Sequence, residues 1–142
     1  MITKIHRIDN SLPLPEYESN GAAAFDLSSR IDMVIQPQSI GLVPTNLIIE
    51  TPENHMLVVV PRSSTPRKKG LSIPHGIGII DQDYCGPEDE VMIQFFNFTN
   101  EPVEINRGER IGQATFVHIS KTEWMETDDF LDKSRGGFGS TG

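Results

Sequence analysis

Short apolar runs, broken by proline, glycine or asparagine, set the rhythm of this chain. Residues 1–10 alternate loosely, as a first strand would. Residues 31–35, 41–43, 46–50 and 56–60 are β-rich runs, punctuated by Pro37, Pro44, Pro52 and Asn54. The longest strand candidates are 91–98 and 110–119. Strands this short at this spacing predict an all-β sandwich or barrel. Residues 11–24, with two prolines, a glycine and three alanines, read as a loop into a tightly packed segment. One helix is predicted, over 65–69: Thr65 can cap it, Pro66 suits its first turn and Gly70 can close it. Neither a repeat nor a second folded unit is visible.

The stretch 76–86, GIGIIDQDYCG, reads as a strand, a tight acidic turn and the start of a return strand, a β-hairpin. Ile77, Ile79 and Ile80 run into Asp81, Asp83 and Tyr84. A carboxylate held at a strand end beside a cleft can act as a general base on water. Taken alone, the pair is better read as turn chemistry, because Asp accepts hydrogen bonds from the backbone two residues on.

Four other segments carry chemistry. In 22–27, AAAFDL, small residues beside Asp26 allow close backbone approach; taken alone, the segment is better read as a buried strand whose Asp starts a turn. In 61–64, PRSS, an arginine fork and two hydroxyls precede the helix, an arrangement suited to phosphate. A capped, solvated turn is the plain alternative. Residues 107–113, RGERIGQ, read as a hairpin turn entering a strand. The end, GGFGSTG, has four glycines in seven residues, costly to order. Its single aromatic could still lie over a base while backbone amides meet phosphates.

Bulk properties narrow the choice. The 142 residues suit one domain with one core. A net charge of −8 argues against general nucleic-acid binding, which wants a basic face. An anionic ligand would need local positive charge, and Arg62, Arg67, Lys68 and Lys69 crowd four of the twelve basic residues into eight positions. A single cysteine, Cys85, excludes an intrachain disulfide and favours a reducing compartment. With no apolar core of signal-peptide length and no run long enough for a bilayer, the expectation is a cytoplasmic protein with no membrane partner.

Each segment is weak alone, but the five in this order resemble the homotrimeric dUTP pyrophosphatases, the dUTPase family. Its motifs match AAAFDLSS, PRSSTPRKKGL, GIGIIDQDYCG, RGERIGQ and GGFGSTG, from Gly21 to Gly142. The resemblance implies an all-β jelly roll, or distorted barrel, over 1–133 with a glycine-rich arm at 134–142. It implies a homotrimer with sites shared between subunits, and cleavage of dUTP to dUMP and pyrophosphate with Mg²⁺. Asp81 would activate water at the α-phosphorus. Tyr84 would pack on the deoxyribose, and the backbone of Ile77 and Gly78 would meet uracil. Arg62, Ser63, Ser64 and Gln113 would contact phosphates, and Asp26 would reach the metal through water, Mg²⁺ being held mainly by the triphosphate. In the arm, Phe138 would stack on uracil, and Gly137, Gly139, Ser140 and Thr141 would close on the nucleotide, ordering only when it is present. Lys133 or Arg135 would supply the arm's cation.

The chain departs from the pattern at several points. Thr65-Pro66 replaces the usual Leu-Ala, and His75 stands where many bacterial members carry an asparagine facing uracil. An acidic insertion, Pro87-Glu88-Asp89, is expected to bulge at a hairpin tip. Two other readings remain: a dCTP deaminase of the same fold, and a dUTPase-fold binding or signalling protein without hydrolysis. Retention of Asp81 weighs against the last.

Overall fold

The computed structural model describes residues 2–129 together with Ser134, Gly136, Gly137 and Gly139. Among these it contains eleven strands and one short helix. They run β1 (Ile5–Arg7), β2 (Phe25–Ser28), β3 (Met33–Ile35), β4 (Ile40–Pro44), β5 (Leu47–Ile49), β6 (His55–Pro61), α1 (Thr65–Lys69), β7 (Leu71–Ser72), β8 (Gly78–Ile80), β9 (Met92–Asn97), β10 (Val103–Ile105) and β11 (Arg110–His118). The all-β expectation with one helix at 65–69 is met, and the fold is of the jelly-roll type.

Two sheets form the body, one in the order β2-β11-β6-β8 and the other β4-β9-β7, with all neighbours antiparallel. Strand pairs β1-β5 and β3-β10 flank them. Alternation decides the core. In β6, Leu57 and Val59 are buried while Val58 faces outward, and in β9 Ile93 and Phe95 point inward. These four join Leu27, Val43 and Leu71 in one apolar cluster, so the two sheets pack face to face.

The two expected hairpins do not form. β8 pairs with β6, whereas the chain leaving Asp81 crosses to β9, which pairs with β4 and β7. The turn 106–109 likewise links β10, bound to β3, with β11, bound to β2 and β6. A local apolar-turn-apolar pattern cannot tell a hairpin from a crossover, because both need the same turn. The acidic insertion is therefore not a hairpin tip. It is a small closed turn in which the Gly86 N–H donates to Asp89 Oδ2 at 2.7 Å and the Asp89 N–H to the Gly86 carbonyl at 3.1 Å.

The helix begins differently from expectation. Its cap position is Ser64, not Thr65, and no side chain caps it. Ser64 already has helical angles, and the Thr65 N–H donates to the Arg62 carbonyl at 2.9 Å, so the turn closes one residue early. Gly70 closes the other end in the left-handed region, its N–H bonded to Pro66 O.

Candidate active site

Strand register brings three of the five sequence segments to one place. Gln113 of β11 pairs with Asp26 of β2 on one side and Val60 of β6 on the other. Arg62, Ser63 and Ser64 follow directly from β6. Together with Ala22 to Ala24 and Glu18, these residues line a pocket of 420 Å³. The three alanines leave the pocket open where larger side chains would fill it. Gln113 Nε2 donates to the Pro61 carbonyl at 3.2 Å, fixing the end of β6.

Charge in this pocket is tightly paired. Asp26 Oδ1 meets Arg62 Nε at 3.0 Å, and Asp26 Oδ2 meets Arg110 Nη1 at 3.2 Å. Arg110 also pairs with Glu18. Its guanidinium is raised above the ordinary arginine value, first by the hydrogen bond to Glu18 and then by the charges of Glu18 and Asp26. Nothing in the sequence pattern points to Arg110 or Glu18. The strand period of two would put Arg110 and Gln113 on opposite faces. A register shift between Arg110 and Gly112 brings Arg110 round to Asp26. Only the arginine's place inside RGERIGQ could have drawn notice.

The basic cluster of 62–69 disperses. Of the four cations, only Arg62 lines the pocket. Lys69 Nζ turns away to Glu109 at 2.6 Å and to the Glu104 carbonyl at 2.9 Å.

The acidic turn lies elsewhere. Asp81 follows β8, whose Ile80 pairs with Leu57 near the start of β6. Arg62 follows Pro61 at the other end of β6. Asp81 is thus level with Met56, six residues from Arg62, which is about 20 Å along a strand. Here Asp81, Gln82 and Asp83 line a second pocket, of 380 Å³, with His55, Met56, Ile119 and Lys121. The Gln82 amide holds the turn to the start of β6 by donating to the carbonyls of Pro52 (3.3 Å) and His55 (3.2 Å). The Tyr84 N–H donates to the Asp81 carbonyl at 3.4 Å, and Asp81 itself is exposed.

Tyr84 is 38 % exposed, and its hydroxyl donates to the Glu90 carbonyl at 3.2 Å. Ile77 is 45 % exposed at the entry to β8. At Gly78 a Cβ would come 3.1 Å from Val59 Cβ, so β8 approaches β6 more closely than a side chain there would comfortably allow. His75 is exposed. In the arm, Gly137 and Gly139 are described, and a Cβ at either would meet nothing within 4 Å. Lys133, Arg135, Phe138, Ser140 and Thr141 lie outside the described residues.

Asp26 does not fit the part of a direct metal ligand, since both its oxygens are already occupied by guanidinium groups. Among the described residues no group of three or more His, Cys, Asp or Glu could hold a metal ion. No helix among them is long and apolar enough to cross a membrane.

A family model for dUTPase matches residues 10–142. The deoxyuridine 5'-triphosphate nucleotidohydrolase of Dictyoglomus turgidum is 40 % identical, covering 97 % of this chain and 96 % of that protein. The enzyme of the same name from Haemophilus influenzae is 39 % identical over 96 % of this chain and 91 % of its own length. The crystal structure of dUTPase from Streptococcus mutans superposes with a TM-score of 0.78 at 31 % identity, covering 84 % of this chain and 98 % of that one. On the order of its five motifs, its fold and these likenesses, the chain belongs to the dUTPase family.

Proposed function

We propose that the protein hydrolyses dUTP to dUMP and pyrophosphate at sites completed by more than one copy of the chain, as in a homotrimer. The observation that carries this is the separation of Asp81 and Tyr84 from Arg62, Ser63, Ser64 and Gln113 by the length of β6. A triphosphate gripped at one end cannot reach a base about 20 Å away in the same subunit. A second copy, presenting its Asp81 end to the first copy's Arg62 end, removes the gap. The outward face of the sheet between the two ends supports such docking: Val58 stands beside Ile79, which is 54 % exposed, and Val117 is also exposed.

In this reading Arg62, Gln113 and the hydroxyls of Ser63 and Ser64 bind phosphate oxygens. The anion competes for Arg62 with Asp26, which keeps the fork aimed into the pocket until then. Mg²⁺ enters with the triphosphate oxygens as part of the substrate. Asp81 takes a proton from the attacking water, and its exposure leaves it free to do so. The backbone of Ile77 and Gly78 pairs with the uracil edge. Cytosine would leave donors unpaired there, a loss of about 1–3 kcal/mol for each. Tyr84 covers the sugar at C2′. Closure of the arm through Phe138, Ser140 and Thr141, with Lys133 or Arg135 as its cation, completes the proposal and excludes water.

The test is to incubate the protein with dUTP, and separately with dCTP, in Mg²⁺, following pyrophosphate and ammonia while light scattering gives the mass. Pyrophosphate from dUTP by an oligomer is the expected result. Ammonia from dCTP, or dUTP binding without turnover, would replace the reading.

A further inference from the structure

Glu90 is the most buried carboxylate among the described residues, at 5 % exposure, and nothing in the proposed reaction uses it. Its side chain is fully engaged. Oε1 accepts from Arg30 Nε at 2.9 Å and from the Asn46 N–H at 2.7 Å, while Oε2 accepts from Arg30 Nη2 at 2.9 Å. Asn46 sits in the left-handed region at φ 73°, a conformation that needs support in a residue other than glycine. Beyond the carboxylate, the Asn46 side chain exchanges two bonds with the Asp9 backbone. Next to Glu90, the Val91 N–H donates to the Leu47 carbonyl at 2.8 Å, and Thr45 binds the Val91 carbonyl through both its N–H and its hydroxyl. The backbone at 90 and 91 is therefore fixed from several directions.

That backbone is what holds Tyr84. Its hydroxyl donates to the Glu90 carbonyl and so clasps the two ends of the 84–90 loop, the loop containing the acidic insertion. We infer that the Arg30–Glu90 pair is a positioning device for the Tyr84 ring, and through it sets discrimination against a 2′-hydroxyl. This rests on the proposed function for the role of Tyr84. The insertion lengthens the chain between ring and anchor, and the clasp is what stops that length from loosening the ring. A ring free to tilt would open room at C2′ for the extra oxygen.

The test measures kcat/KM for dUTP and UTP in wild type, Tyr84→Phe, Glu90→Gln and the double variant. Tyr84→Phe keeps the ring and removes the donor; Glu90→Gln keeps the shape and weakens the hold on Arg30. Each should lower the dUTP-over-UTP ratio about five- to thirtyfold. The double variant should fall no further than the larger single, because both act through one ring. If Glu90→Gln folds poorly, Arg30→Lys serves in its place, keeping charge but losing the bidentate fork. With only two tyrosines in the chain, fluorotyrosine labelling gives two ¹⁹F resonances, assigned by Tyr17→Phe. The Tyr84 resonance should move in Glu90→Gln. An unchanged ratio, additive losses, or a Tyr84 resonance that stays put would each overturn the inference, whatever the loss of Tm. A wild type that leaves dUTP intact would instead sink the proposed function, and the resonance alone would then decide the positioning.

Discussion

Asp81 and Arg62 leave the same two-strand neighbourhood in opposite directions: Asp81 continues β8 beyond the Ile80–Leu57 pair, and Arg62 extends β6 beyond Pro61. If Asp81 is the base and Arg62 the phosphate fork, as proposed, this placement lets them act together only across two copies.

Subunit mixing tests this arrangement. Asp81→Asn and Arg62→Ala should each be nearly inactive alone. After the two are unfolded and refolded together, activity should return, since some sites then draw an intact Asp81 and an intact Arg62 from different subunits. Pyrophosphate release measured before and after mixing checks it. No recovery in a well-folded mixed oligomer would mean that base and fork come from the same chain.

Asp81→Asn should lower kcat by on the order of 10²–10⁴ while dUTP still binds. The amide keeps the size of the carboxylate but cannot take a proton. Single-turnover assays with calorimetry separate the two effects, and near-normal turnover would remove Asp81 from its role.

Gly70→Ala should destabilise the fold by at least about 2 kcal/mol. The position has φ 66°, and an added Cβ would meet Thr99 Cγ2 at 2.0 Å. Thr99 cannot easily yield, because its hydroxyl donates to Asn97 Oδ1 at 2.7 Å and its N–H to the same oxygen at 2.9 Å. Thermal melts check this; a Tm within a degree of wild type would show that the loop at 99 moves freely.

The Asp9 carboxyl is held well below the ordinary carboxylate range, first by the Ser11 hydroxyl, then by Arg107 and the Ser11 N–H. A depressed folded-state value gives stability that is present above the unfolded value and lost as pH falls through the folded one. The Tm penalty of Asp9→Asn should therefore be constant from pH 7 to pH 5. It should shrink only as acid passes below the ordinary carboxylate range. A penalty already gone at pH 5 would contradict the pairing with Ser11 and Arg107.

The strand runs, the helix at 65–69 with its glycine stop, and the five segments that identify the family could all be read from the chain. Each depends on neighbours within a few residues: alternation, a proline in a first turn, a turn between apolar runs. β2, β7 and β10 were harder. β7 has two residues, too few for alternation to register, and β10 is a three-residue piece with a charged residue at its centre. Two kinds of feature needed the fold. The first is partner choice, since the turn after β8 reads as a hairpin although β8 belongs to β6 and the next strand to the other sheet. The second is contact across long separations. Arg110 reaches Asp26 because a register shift rotates it, and Glu90 meets Arg30 and Asn46 across 60 and 44 residues. The local sequence fixes which residues can form a strand, turn or cap, because those energies come from the backbone nearby. Which strand lies beside which, and so which charges meet, follows from burying both sheets in one core, and that is settled by the whole chain together.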